Sequence, residues 1–344
     1  MKPNTSKNTI EIRDLFNKQD EKFLILGHTH PDGDAVGSGL ALKEFLELKG
    51  HKVHLVLPDP FPEFLAWMSG ADSILIYSKK EAKVQQLIQE ATVLIFTDLN
   101  AVSRLESLQN VVNDVIHQKT SVLFDHHVSP DDVFKYCYWD TKASSTAELI
   151  YEFIVESGAK DQITKTIAEN LYVGIMTDTG SFSYSCNNPE TYTALAHLFS
   201  LGIDGAYIHQ QVYNTFSEER LRLLGHSIST RLTVMNKSGG AYIALRAEDL
   251  EKYKYNVGDT EGLVNYTMTI KGIHFGALLT EMEKYIKISL RSEGDIDVNI
   301  IARDFFDGGG HKNASGAYFY GSLADACEIV SNIIKTHLHH KNHE

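Results

Sequence analysis

Two imidazoles and two carboxylates fall within one short stretch, Gly27-His28-Thr29-His30-Pro31-Asp32-Gly33-Asp34. It follows the apolar run Phe23-Leu24-Ile25-Leu26 and precedes Ala35-Val36-Gly37-Ser38-Gly39-Leu40. The run reads as a buried strand, and the small and apolar residues after it as a helix lying close on a sheet. The carboxyl end of a strand in an open parallel sheet is where such folds present ligands. Hard divalent cations take carboxylate oxygens and borderline ones accept imidazole, so the mixture suits manganese, zinc, cobalt or iron better than calcium. On these residues alone a blander alternative stands, in which Asp32 and Asp34 cap the next helix and the histidines face solvent.

Three more places offer the same chemistry at the ends of elements. Asp98 follows Val93-Leu94-Ile95-Phe96-Thr97, and Asp125-His126-His127 follows Ser121-Val122-Leu123-Phe124. Asp178 ends a stretch in which Ile167, Leu171, Tyr172 and Ile175 fall at helical spacing. Gathering so many carboxylates without cations would impose strong repulsion and raise some pKa values. Two divalent ions remove that difficulty. The residues therefore point to a dinuclear metal hydrolase, whose paired ions hold a bridging hydroxide and clamp both oxygens of a phosphoryl displacement.

The elements that must position these groups alternate between strand and helix. A helix is expected over 9–19, strands over 23–26, 53–57, 73–77, 91–96 and 121–124, and helices ending near Lys49-Gly50 and spanning 79–90. Near-continuous apolar strands in this alternation predict an α/β domain, a parallel sheet with helices on both faces. Ser144-Ser145-Thr146 caps a further helix, and Asn187-Asn188-Pro189-Glu190 starts another. From 206 to 230 the pattern is helical and polar and reads as a connecting helix. A hairpin over 231–246, strands at 276–280 and 285–290, a helix near 295–304 and a closing strand–helix pair make a smaller α+β domain. The expected division is a catalytic metal-binding domain over 1–205, a helical linker over 206–225 and a substrate-binding domain over 226–344.

Composition bounds the partners. At 344 residues, 43% hydrophobic and 22% charged, the chain suits a globular protein of two domains. A net charge of −13 argues against holding long nucleic acid on a broad basic surface, although metals and a local basic pocket can still attract a small anion. Three widely spaced cysteines, no secretory signal and no apolar run of ~20 residues suggest a cytoplasmic protein without a membrane segment. The histidine-rich tail from His337 reads as a frayed helix end rather than a metal site.

Five signatures in order, GHTHPDGDAVGSGLAL (27–42), TDLN (97–100), FDHHVSP (124–130), IMTDTGSFSYS (175–185) and GGGHKNASGA (308–317), resemble those of the DHH phosphoesterase superfamily with an appended DHHA1 domain. Within it the chain is most similar to the compact bacterial bifunctional oligoribonuclease and PAP phosphatase group, the NrnA-like proteins. The resemblance implies that His28 and Asp32 hold one metal, that Asp34, His126 and Asp178 hold the other, and that Asp98 bridges the two. It implies that Asp125 orients the ligand histidine and that His127 faces the substrate phosphate as general acid or electrostatic stabiliser. His30 would lie beside the first metal and touch substrate. Gly308, Gly309 and Gly310 would form an anion nest, with His311 adding an imidazole donor and Arg291 a bidentate phosphate clamp. Arg104 would support the active-site loops or join a surface salt bridge. Two positions depart from the family's pattern: Asp307 and Glu106 stand where glycine is common.

The implied activity is hydrolysis of short RNA oligonucleotides to mononucleotides and of 3′-phosphoadenosine 5′-phosphate (PAP) to AMP, between two domains, with two divalent ions, Mn2+ first and Mg2+, Co2+ or Zn2+ as alternatives. Short RNA and small nucleotides are the expected partners, and a homodimer is compatible with the sequence. Rival expectations are a phosphodiesterase for pApA or cyclic dinucleotides, whose relatives often carry sensory or membrane segments, and a single-strand exonuclease with an added OB-type domain. A family II pyrophosphatase would lack GGGH. In a different class stands a non-catalytic nucleotide-binding module.

Overall fold

A computed structural model of the chain describes residues 5–337; the tail from Leu338 lies outside them. Two compact units divide between Thr215 and Phe216.

The first unit is built on a sheet of seven strands, β1 (Thr5–Lys7), β2 (Lys22–Leu26), β3 (Lys52–Leu57), β4 (Leu75–Ile76), β5 (Val93–Thr97), β6 (Thr120–Asp125) and β7 (Tyr136–Asp140). Their order is β1-β7-β6-β5-β2-β3-β4, all parallel except β1. The helices are α1 (Thr9–Phe16), α2 (Gly33–Leu48), α3 (Glu81–Glu90), α4 (Gln109–Asn113), α5 (Thr146–Glu156), α6 (Lys165–Asp178), α7 (Pro189–Ser200) and α8 (Gly205–Tyr213). Successive side chains of a strand point to opposite faces. Phe23 and Ile25 therefore enter one core with Val36, Leu40 and Leu149, while Leu24 and Leu26 enter a second with Val84, Ile88 and Leu105. Two covered faces explain why the strands read as unbroken apolar runs.

Close approach of α2 and α6 is set by glycine. A Cβ on Gly37 would lie 2.5 Å from the Asn170 carbonyl oxygen, and one on Gly174 would lie 2.7 Å from Asp34 Oδ1. The same absence of side chains thus lets Asp34, on the first turn of α2, lie directly against α6.

Three local expectations are corrected. The strand expected over 73–77 shrinks to Leu75–Ile76 between short 3-10 turns, while β1 and β7 extend the sheet on its other side. The single connecting helix is two, α8 and α9 (Glu218–His226), because Ser217 is extended (φ −65°, ψ 157°) and its hydroxyl caps a new helix at Arg220 N, 3.0 Å away. The glycines of GGGH form a strand rather than an anion nest, as described below.

The second unit holds β8 (Leu232–Met235), β9 (Gly240–Leu245), β10 (Phe275–Glu281), β11 (Ile286–Ser292), β12 (Asp307–His311) and β13 (Ala314–Phe319) in the order β12-β13-β11-β10-β9-β8. Its helices are α10 (Ala247–Lys252), α11 (Asn265–Met268), α12 (Val298–Phe305) and α13 (Leu323–His337). Phe275, Ile288 and Leu290 pack with Val298, Val330 and Ile334 on one side, and Ile243, Leu245 and Leu278 with Leu250 and Leu263 on the other. Asp249 pins α9 to α10: it receives His226 Nε2 at 2.7 Å, Arg231 Nε and Nη2 at 2.8 Å each, and the Arg246 amide at 2.9 Å.

Two predictions follow from these packing details. Burial favours the neutral form of Asp249, but its bonds to Arg231, the Arg246 amide and His226 outweigh that and hold its pKa at about 2, below the ordinary 3.8. A depressed native pKa stabilises fully above the ordinary value and progressively less as pH falls toward the native one. The difference in urea midpoint between wild type and Asp249→Asn should therefore narrow between pH 5 and pH 3. Glu106 lies at φ 41°, ψ −101°, backbone that glycine adopts at little cost. Glu106→Gly should stabilise the first unit by about 1 kcal/mol, read as a thermal midpoint raised by ~2–4 °C.

Candidate metal centre

Strands β2 and β5 are neighbours, but the chain leaves them in opposite directions, toward β3 and β4 from one and toward β6 and β7 from the other. Their carboxyl ends therefore open a crevice, the switch point at which such sheets bind ligands. His28 follows β2, Asp98 follows β5, Asp125 ends β6, and Asp178 ends α6. Asp32 caps α2, its Oδ1 accepting the amides of Asp34 at 3.0 Å and Ala35 at 3.1 Å. Capping and membership of the cluster are compatible in one carboxylate.

Asp98 stands at the centre, buried, with φ +60°. Its two oxygens face different histidines: Oδ2 lies 3.3 Å from His28 Nε2, and Oδ1 lies 3.7 Å from His126 Nε2. His28 Nε2 is also 4.0 Å from Asp32 Oδ1, and His126 Nε2 is 3.3 Å from Asp178 Oδ2. Potential ligand atoms of His28, Asp32 and Asp98 lie within 4.8 Å of one another, as do those of Asp34, His126 and Asp178.

The donor set fits a pair of divalent cations. His28 Nδ1 meets the Thr29 carbonyl at 2.6 Å and His126 Nδ1 meets the Ala143 carbonyl at 3.2 Å. A carbonyl only accepts, so each Nδ1 carries its hydrogen and each Nε2 is the atom turned toward carboxylate oxygens, the arrangement of metal-bound imidazoles. His28 Nε2 is buried without a hydrogen bond of sound geometry. Lone pairs facing carboxylates repel unless a cation or proton lies between them. Burial, reinforced by Asp98, Asp178 and Asp32, pushes Asp34 well above the usual carboxylate range. Burial acts the same way on Asp98, but contact with His28 and the imidazoles of His127 and His126 around it hold it far below that range.

His127 is positioned separately. Its Nδ1 donates to Asp125 Oδ1 at 2.8 Å, Arg104 Nη1 approaches its Nε2 at 3.1 Å, and Trp139 Nε1 donates to its carbonyl at 2.6 Å. Burial and then Arg104 hold the His127 pKa well below its ordinary value. Burial pushes Asp125 up to about 7. The implied role of Asp125 is corrected on one point: the imidazole it orients is His127, because His126 turns its Nδ1 to Ala143 instead. Arg104 also donates to the Asp98 carbonyl at 3.2 Å, which places it within the loops of the centre. His30 is half-buried at φ +49° in the His28 loop and belongs to neither three-residue ligand group.

In the second unit, Arg291 and His311 are each in register with Ala314, one on either side, so they share a face of the sheet. The nest expected of Gly308, Gly309 and Gly310 is replaced by β12 pairing with β13, and only Gly310 has positive φ, +145°. The strands are so close that a Cβ on Gly308 would lie 2.3 Å from the Gly316 carbonyl oxygen. Glycine is required here for close pairing.

Thr146 was overlooked by the sequence reading. Its hydroxyl donates to Asp98 Oδ1 at 3.0 Å, and its amide and that of Ala147 donate to Asp34 at 2.7 and 2.9 Å. The available signal was the run of hydroxyls Ser144-Ser145-Thr146 at the start of α5, of which Ser145 alone caps.

A doubly wound sheet with two carboxylate–imidazole groups meeting on one aspartate at its switch point, followed by a separate α+β unit, defines a two-domain protein with a candidate metal centre in its first unit. The chain belongs to the DHH family: residues 22–175 match the DHH family N-terminal domain and residues 239–336 the DHHA1 domain. The crystal structure of an exopolyphosphatase-related protein from Bacteroides fragilis is 37% identical, covers 98% of both chains and superposes with a TM-score of 0.89. The bifunctional oligoribonuclease and PAP phosphatase NrnA of Thermus thermophilus is 29% identical over 95% of this chain and 93% of its own, and that of Bacillus subtilis 26% over 91% and 94%.

Cation binding should be visible without turnover. Mn2+ added to chelator-stripped protein should raise its thermal midpoint by ~5 °C or more at saturation, and Asp98→Ala should lose most of that shift.

Proposed function

We propose that the protein is a divalent-metal-dependent phosphoesterase that hydrolyses short RNA oligonucleotides to mononucleotides and PAP to AMP. The observation that carries this reading is Asp98, whose two oxygens serve two separate ligand groups at the switch point. The similarity to NrnA proteins along nearly the full length of both chains supports the substrate class.

In this reading His28, Asp32 and Asp98 would hold one cation and Asp34, His126 and Asp178 the other, with an Asp98 oxygen facing each group. When bound, such a pair supplies Lewis acidity toward phosphoryl oxygens and lowers the pKa of water. Asp98 and Asp34 are held at fixed positions by Thr146 and Ala147, so little reorganisation accompanies binding. Asp125 keeps the proton of His127 on Nδ1, and Arg104 approaches Nε2, so His127 holds the Arg104 guanidinium in place rather than acting as a proton donor. Arg291 and His311 supply charge-assisted and imidazole bonds for a terminal phosphate. A net charge of −13 favours short substrates, for which a local phosphate clamp suffices. Among the described residues no helix is long and apolar enough to cross a membrane.

The test offers Mn2+-loaded protein PAP, an RNA trimer, a 24-mer, pApA and pyrophosphate in parallel. Rapid turnover of trimer and PAP with a resistant 24-mer is expected. Asp98→Ala should abolish turnover, while His311→Ala should mainly raise KM. Preference for pApA would move the protein to dinucleotide signalling, and two bound ions with no turnover of any substrate would make it a binding module.

A further inference from the structure

The turn Ala143–Ala147 belongs to neither ligand group, yet it touches three of the ligand residues. The Ala143 carbonyl fixes His126 Nδ1 at 3.2 Å, Thr146 Oγ1 reaches Asp98 at 3.0 Å, and the Thr146 and Ala147 amides reach Asp34 at 2.7 and 2.9 Å. What holds the turn is Glu148, whose side chain is completely buried. Its Oε2 accepts the Ser144 amide at 2.8 Å and the Ser144 hydroxyl at 2.5 Å. The Thr191 hydroxyl on α7 lies 3.0 Å from Oε1 and 2.9 Å from Oε2.

A glutamate at the third position of a helix commonly reaches back to the amide of the capping residue. Glu148 goes one residue further, to Ser144, and also engages a second helix. Burying a carboxylate is expensive unless donors surround it. Here the donors come from the turn that carries the ligand contacts and from α7, while the amino end of α5 favours the negative charge. Helix capping requires none of the link to Thr191.

We propose that Glu148 is a positioning residue of the metal centre. By tying Ser144 to Thr191 it fixes the Ala143–Ala147 turn, and through that turn it sets the affinity of the Asp34, Asp98 and His126 groups for divalent cations. The inference rests on the metal-dependent reading above.

The experiment is calorimetric titration of chelator-stripped full-length protein with Mn2+, with the metal-free thermal midpoint and kcat for PAP followed alongside. Wild type is compared with Glu148→Gln, Thr191→Val, Thr146→Val and Thr146→Ser. Glu148→Gln and Thr146→Val should weaken Mn2+ binding by about 10–100-fold, with kcat restored to within about threefold at saturating Mn2+, while Thr146→Ser stays near wild type. Thr191→Val should shift affinity in the same direction by less. A lowered metal-free midpoint with unchanged Mn2+ affinity would reduce Glu148 to a helix cap and overturn the proposal. Should Glu148→Gln fail to fold, Thr191→Val decides the role of Glu148, and the Thr146 pair decides that of the turn, by the same readout. Wild type that binds no Mn2+ would sink the metal reading itself; two ions in wild type and unaltered affinity in the variants would sink only this inference.

Discussion

The structure depends on holding Asp32 and Asp98 close to His28, and Asp34 and Asp178 close to His126. Asp34 and Asp98 are buried, and the electrostatic interaction between charges strengthens as the surrounding dielectric falls. Nothing in local propensity favours such a gathering. It is imposed by the sheet, whose order reverses between β2 and β5, and by two helices brought together at Gly37 and Gly174. Backbone amides at the start of α5 offset part of the repulsion. A pair of divalent cations would complete the balance.

Much of this was legible in the sequence because ligand types followed immediately upon apolar strand runs. In a parallel sheet covered on both faces those runs are conspicuous, and their carboxyl ends converge whatever the details of the connections. The grouping of ligands was legible only through resemblance, since spacing along the chain does not say which oxygen of Asp98 faces which ring. Partners reached through the backbone were harder. That Asp125 serves His127, with His126 turned to Ala143, depends on how the chain bends after β6. Thr146 looked like a capping residue because its bond to Asp98 spans 48 positions. The edge strand β1 is too short and polar to announce itself, and the break between α8 and α9 rests on the conformation of one serine.

The two units divide the physical tasks by chemistry. The first concentrates carboxylates and imidazoles on rigid element ends. The second presents Arg291 and His311 on a sheet face whose intervening residue, Ala314, is small.

Asp307 gains a different meaning from its place in that sheet. It begins β12, the outermost strand, is exposed, and among the described residues only β13 pairs with β12. Three consecutive glycines leave the strand almost without side chains, and a bare edge invites another chain to extend the sheet. A carboxylate at the head of that edge repels a second copy of the same strand and carries a hydration shell that is costly to strip. Placed there, the Asp307 carboxylate is a charge that any chain extending the sheet at this border would have to desolvate.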